Sequence, residues 1–240
     1  MKLLVSVRDV GEALVAARAG ADFIDLKDPA DGALGALAPE RIEQVVAVLQ
    51  ELHPGLRISA TVGDLPASQD AEILRRAKLV AALGVDYVKV GLWPARSPVR
   101  GCALLDALAA LPARIVPVLV ADAGVDPALV AHALACRAFP ALMVDTAEKR
   151  RGSLFERVPL ASLEAFIAVV RSHGMMAGLA GSLRIDDAQL LLALAPDFAG
   201  FRGAVSRGER TAALDPRLVR ELRRRLAPRA QARVPLPAAA

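Results

Sequence analysis

Short runs of apolar residues recur along the chain, and between them the apolar positions shift to a spacing of three and four. The runs are LLVSV (3–7), DFIDLK (22–27), RISATV (57–62), DYVKV (86–90), RIVPVLVA (114–121), ALMVDT (141–146), MMAGLA (175–180) and DFAGFRG (197–203). They read as strands. The intervening segments, from DVGEALVAARAG (9–20) to DPRLVRELRRRLA (215–227), have helical periodicity. Many begin after Asp, Ser or Pro and end near Gly, as capped helices do. Strands alternating with helices imply βαβ units and a parallel sheet. Eight such units in roughly 225 residues match a (β/α)8 barrel in both count and length. A doubly wound sheet would want a glycine-rich dinucleotide turn after its first strand, and VSVRDVGEA lacks one. No linker-like composition occurs before about residue 227. The expectation is therefore one α/β barrel domain over 1–227, followed by a disordered Pro/Ala-rich tail over 228–240.

Composition supports this picture. Of 240 residues, 55% are hydrophobic and only 3% aromatic, so the core is Ala, Val and Leu, which suits helices packed on strands. No apolar run approaches the ~20 residues of a membrane span. The N-terminal MKLLVSVRDV is cut short by Arg8 and Asp9 before it could act as a secretory leader, and a cytoplasmic protein is expected. Cys102 and Cys136 are isolated in sequence and read as reduced, buried thiols without metal-ligand spacing. His53, His132 and His173 are scattered singly. Neither a metal nor a cofactor is expected. The pI of about 9.5 raises the question of nucleic acid. Much of the excess charge, however, lies in RLVRELRRRLAPRAQARVPLPAAA, which has no interleaved aromatics and reads as a solvated basic helix and tail. A basic protein equally suits small anionic substrates.

Chemistry in a (β/α)8 barrel sits at the C-terminal ends of the strands, and charged groups recur there. In DFIDLKDPADGALGA (22–36), alternation puts Phe23, Asp25 and Lys27 on one strand face. A buried charge is costly unless it is paired or neutralised, so an inward Asp25 and Lys27 point to an active site. The other strand ends carry Arg8, Thr61 and Asp64, Lys89, Asp122, and Asp145 followed by Lys149. The chain is Arg-biased and has five lysines, three of which (Lys27, Lys89 and Lys149) fall on this rim. A lysine retained where Arg is the usual cation suggests an amine that must neutralise, as a nucleophile or base. Salt bridges are the plainer reading: Lys27 with Asp25 or Asp28, and Lys149 with Asp145 at i, i+4. The last two loops, GLAGSL and FRGAV, place Gly181, Ser182 and Gly203 beside Arg202. Phosphate binding by the loops after strands seven and eight is the common barrel arrangement, so these four are candidate phosphate ligands.

The run DLKDPADGALGA, with Asp25, Lys27, Pro29, Gly32, Leu34, Gly35 and Ala36, resembles the (5-formylfuran-3-yl)methyl phosphate synthases. So do YVKVG with Lys89 and VDTAEK with Asp145, Thr146 and Lys149. The similarity covers about residues 2 to 205. It implies a step early in making the furan of methanofuran-type carriers, in which two molecules of glyceraldehyde 3-phosphate condense to 4-(hydroxymethyl)-2-furancarboxaldehyde phosphate with loss of phosphate and water. Under the resemblance, Lys27 is the Schiff-base lysine and Lys89 a proton acceptor, with Asp25, Asp145 and Lys149 in supporting acid–base roles. The expected partners are a small triose phosphate and further copies of the chain, with no nucleic acid and no membrane. Two other readings stand beside it. One is another sugar-phosphate barrel, a Schiff-base aldolase or an isomerase; the other is an RNA-binding protein using the basic C-terminal helix. Roles for Arg8, Asp64 and Asp122 are left open.

Overall fold

The computed structural model describes residues 1–93, 98–149 and 151–227, so the tail at 228–240 lies outside the described residues. Eight strands form among them: β1 (Lys2–Val7), β2 (Phe23–Leu26), β3 (Arg57–Thr61), β4 (Tyr87–Leu92), β5 (Ile115–Val120), β6 (Ala141–Asp145), β7 (Met176–Leu179) and β8 (Phe198–Phe201). Each falls on one of the expected runs. All pair in parallel with their sequence neighbours, and β8 returns to β1, closing the barrel in the order β1 to β8. This is the (β/α)8 architecture.

The helices are α1 (Val10–Arg18), α2 (Pro39–Leu52), α3 (Asp70–Ala82), α4 (Pro98–Ala109), α5 (Pro127–Cys136), α6 (Leu154–Arg157), α7 (Leu160–Ser172), α8 (Ala188–Leu194) and α9 (Pro216–Arg225). The carboxylates of Asp9, Asp126 and Asp215 accept from first-turn N–H groups of α1, α5 and α9. They fix those starts where the sequence places them. One element departs from expectation. The single turn α6, closed by a capping box of Ser153 and Glu156, precedes α7, and it is too short to leave a periodic trace. In α9, Arg223 pairs with Asp22 at 2.7 Å and Arg225 with Asp186 at 3.0 Å, so part of the basic helix is tied to carboxylates of the barrel. Among the described residues no helix is long and apolar enough to cross a membrane.

Outward strand positions such as Leu3, Val5, Ile24 and Leu26 are fully buried against the helices. Inward positions recur every second residue, and the four even strands supply three successive sets. The lowest is apolar: Phe23, Tyr87, Ala141 and Phe198. Phe23 meets Tyr87 and Phe198 edge-on at centroid distances of 6.3 and 5.8 Å, a favourable aromatic geometry. Above it come Asp25, Lys89, Met143 and Gly200, and then Lys27, Gly91, Asp145 and Arg202. Side chains in alternating layers fill such a barrel, so the polar sets rest on a plugged floor.

Gly178 on β7 makes room for this floor: a Cβ there would lie 2.2 Å from the Phe198 ring, which is enclosed by its neighbours. Gly178→Ala is expected to lower stability by about 1–3 kcal/mol, read as a fall of several degrees in Tm. The double variant with Phe198→Leu should recover part of the loss. A Tm unchanged by the alanine alone would show that the floor is not tightly packed.

Candidate active site

β2 carries the two charges that organise the barrel. The register sets Asp25 between Ser6 of β1 and Ser59 of β3. Its carboxylate accepts from Ser59 Oγ at 2.6 Å, Ser6 Oγ at 3.1 Å and Lys89 Nζ at 3.0 Å. Asp25 is wholly buried and Lys89 nearly so. Burial pushes the Asp25 carboxyl up, but the Lys89 and Lys27 ammoniums and the Ser59 hydroxyl together outweigh it and hold the group below the usual carboxylate range.

One layer higher, Asp145 ends β6. Its Oδ1 accepts from Lys149 Nζ at 2.5 Å and from the Thr146 N–H at 2.7 Å. Burial again raises this carboxyl, and Lys149 and Lys27 override it, so Asp145 too stays below its ordinary value. The i, i+4 salt bridge expected for Lys149 thus exists, and it lies inside the site.

Lys27 differs from the other two lysines. It is 6% exposed, and the hydrogen bond of its Nζ goes to the Ala33 carbonyl at 3.3 Å. Among the described residues no carboxylate lies within hydrogen-bonding distance of it, so the expected pairing with Asp25 or Asp28 is not made. Burial drives its pKa down to about 8; Asp145 and Asp25 resist this, and Lys149 and Lys89 add to it. Lys27, Lys89, Lys149, Asp25 and Asp145, identified from sequence as one site, are therefore brought together.

The residues left open in the sequence take positioning roles. Asp64, beyond β3, accepts the Ala33 N–H at 2.6 Å and the Leu34 N–H at 2.8 Å, pinning the loop that carries the carbonyl partner of Lys27. Thr61 donates to the Gly35 carbonyl at 2.7 Å. Gly35 has no substitute there, since a Cβ would sit 2.2 Å from the Asp31 carbonyl oxygen and 2.4 Å from that of Asp28. Asp122, beyond β5, does for β6 what Asp64 does for β2. It accepts the Ala147 and Glu148 N–H groups at 2.6 and 3.0 Å, fixing the turn that presents Lys149. Arg8 donates to the Thr211 carbonyl at 2.6 Å and faces Glu12 at 3.3 Å.

Arg202 requires a correction. A guanidinium has five N–H donors, and all five are taken by the protein. Nε reaches the Arg210 carbonyl, Nη1 reaches the Ser6 carbonyl and Glu12 Oε2, and Nη2 reaches Glu12 Oε1 and the Ala212 carbonyl, at 2.5–3.1 Å. The Arg202 side chain is a buried brace, not a free phosphate ligand. Its partner Glu12 lies far away in sequence on α1, so no local signal announces the pair. The cation missed in the sequence is Arg210, half-buried on the loop after β8, whose Nη2 donates to the Gly32 carbonyl at 3.0 Å. Gly181, Ser182, Gly203 and Arg210 line one open cavity of about 1210 Å³ together with Asp25, Lys27, Lys89 and Lys149. This joins the lysines and the glycine loops in a single space.

The central pair makes a test of this electrostatic frame. Removing one member of a buried ion pair strands the other charge, at about 3–5 kcal/mol. Lys89→Met is expected to destabilise by that amount in urea unfolding, and Asp25→Asn added to it should recover part. If Lys89→Met proves no less stable than the double variant, the pair does not carry the charge balance assigned to it.

Comparison with known proteins follows from this geometry. Among solved structures, phosphoribosyl anthranilate isomerase from Thermus thermophilus superposes with a TM-score of 0.64 at 18% identity, over 94% of this chain and 98% of that one. The 3-hexulose-6-phosphate synthase from Salmonella typhimurium gives 0.61 at 19%, over 94% and 98%. These likenesses show the barrel alone. The (5-formylfuran-3-yl)methyl phosphate synthase of Archaeoglobus fulgidus is 34% identical over 92% of this chain and 97% of its own. That of Methanopyrus kandleri is 36% identical over 94% and 99%. A relative in Methylorubrum extorquens, given the same synthase name provisionally, reaches 42% over 89% and 86%. The family model described as 4-HFC-P synthase matches residues 3–223, and with these relatives it establishes that the chain belongs to the (5-formylfuran-3-yl)methyl phosphate synthase family.

Proposed function

We propose that this protein is a (5-formylfuran-3-yl)methyl phosphate synthase of methanofuran-type cofactor synthesis. In this reading it is a carbon–oxygen lyase acting on phosphates, which joins two glyceraldehyde 3-phosphate molecules through an imine at Lys27. One observation carries the reading. In a chain of this family, Lys27 is the buried amine without a carboxylate hydrogen bond, and it opens onto the cavity with its pKa lowered to about 8. About a tenth of such an amine is free at pH 7, against well under a thousandth of an ordinary lysine.

The free amine adds to the aldehyde of the first triose, and loss of water gives an iminium. That electron sink acidifies the adjacent carbon, and a base removes its proton to form an enamine. Lys89 and Asp25, hydrogen-bonded beneath Lys27, serve as the proton-accepting unit. The enamine attacks the aldehyde of the second triose. Elimination of phosphate and, over the whole reaction, two molecules of water, with protons moved by Asp145 and Lys149 near the mouth, closes and aromatises the ring, and cleavage of the carbon–nitrogen bond frees the product and returns Lys27 as the amine. Backbone N–H groups of the loops at Gly181–Ser182 and Gly203, with the Arg210 guanidinium, suit the phosphates. Among the described residues the amides of Ser182 and Gly203 have no protein acceptor, which supports an anion there. Arg202 contributes by holding β1, α1 and the Arg210 loop in place.

The decisive experiment incubates the full chain with glyceraldehyde 3-phosphate and follows two signals: near-ultraviolet absorbance of a conjugated furan aldehyde, and inorganic phosphate. Both should rise in equal amounts, and both should vanish in Lys27→Arg. Absence of both with folded protein would reject the synthase. Imine trapping by borohydride without phosphate release would indicate an aldolase instead.

The same amine predicts a pH profile. Since Lys27 must be unprotonated to attack, the rate of imine formation should climb with pH and level off above an inflection near 8. An inflection near the ordinary lysine value would reject Lys27 as a tuned nucleophile.

A further inference from the structure

Cys102, Asp106, His132 and Cys136 look unrelated in the sequence, yet they fall into two pairs spaced four apart. Cys102 and Asp106 lie on α4, and His132 and Cys136 lie on α5. Residues at i and i+4 share a helix face. The two helices pack closely where Gly101 of α4 meets Leu129 of α5; a Cβ on Gly101 would lie 2.6 Å from Leu129 Cδ2. The paired faces thus meet on the outer, helical layer of the barrel. The fold thus brings together His132 and Cys136, which the sequence reading left as unconnected. The Asp106, His132 and Cys136 donor atoms all lie within 4.8 Å of one another. Asp106 Oδ1 is the hub, 2.7 Å from His132 Nε2 and 3.7 Å from Cys136 Sγ.

We propose that Cys102, Asp106, His132 and Cys136 form a tetrahedral site for a borderline-soft divalent cation of the zinc class, which clasps α4 to α5. Two thiolates, an imidazole and a carboxylate are the donor types zinc selects, and four protein ligands make a closed structural site. The fourth ligand, Cys102, lies one turn from Asp106 on α4 and outside the group of three whose donor atoms already meet, so it joins by rotation of its side chain; both cysteines are free and half-buried. Burial and the Asp106 charge raise both thiols. They are accordingly poor nucleophiles in the metal-free state, and the Cys136 thiol donates to Asp106, not to the imidazole as a catalytic Cys–His pair would require. On coordination each thiol releases its proton to solvent and the imidazole binds through Nε2, its remaining proton on Nδ1. The site does not overlap the barrel cavity and does not depend on the proposed reaction.

Tag-free, reduced full chain should be titrated with Co²⁺. One equivalent is expected to produce a thiolate-to-cobalt charge-transfer band and the intense visible bands of a tetrahedral ion, and Zn²⁺ should displace it. Cys102→Ser and Cys136→Ser should each remove part of the charge-transfer intensity and weaken binding roughly ten-fold or more, with the furan-forming activity unchanged. Absence of stoichiometric binding, or identical binding in the Cys136→Ser/His132→Gln double variant, would overturn the site. If a variant fails to fold, X-ray absorption on the zinc-loaded wild type decides: a shell containing two sulfurs supports the proposal, and a shell of oxygen and nitrogen alone refutes it.

Discussion

Three ammoniums share two carboxylates at the centre of this barrel, and that odd count sets the charge balance of the cavity. Asp25 is matched by Lys89 and Asp145 by Lys149, each through a direct hydrogen bond. Lys27 is left to a single carbonyl. In a low-dielectric interior an ammonium without a carboxylate is the group that gives up its proton most readily. Removing Lys27 from water lowers its pKa to about 8; no special motif is needed. The burden falls on the fold. Between pH 8 and 10.5 the unfolded chain binds more protons than the native one, so Lys27's destabilisation, about 3 kcal/mol below that window, fades as pH rises through it.

Such tuning works only if the surrounding backbone stays put, and here the anchors come from the neighbouring strands. Asp64 beyond β3 holds the loop after β2, and Asp122 beyond β5 holds the turn after β6. Arg202 ties β8 to Glu12 of α1 and to the loop bearing Arg210. The loops after β2, β6 and β8 are thus each fixed by a charged group that does not itself need to react. Preorganisation of this kind keeps reacting groups within the narrow geometry that catalysis demands.

How much of this was legible in the sequence depends on the range of each interaction. Strand alternation is local, so all eight strands and the inward facing of Asp25 and Lys27 could be read directly. The scarcity of lysine was a compositional signal that pointed to three residues, and all three line the cavity. Arg202 was misassigned because its role is set by Glu12, 190 positions earlier in the chain, and a buried brace and a phosphate ligand look alike in one dimension. Asp64 and Asp122 stood out as rim carboxylates, but their partners are backbone amides, which carry no sequence identity. The cysteine–histidine cluster did leave a trace in its two i, i+4 spacings. That trace means something only once α4 and α5 are known to be adjacent.

The aromatic floor made by Phe23, Tyr87 and Phe198 gives the barrel the topology of a cup. Whatever enters by the rim must also depart by it. Under the proposed reaction, which takes in two phosphorylated molecules and releases one phosphate and one phosphorylated product, arrivals and departures share a doorway lined by Arg210 and the glycine loops. Free phosphate would then compete with the next substrate for the same amides, so the enzyme's throughput would be coupled to the phosphate level of its surroundings.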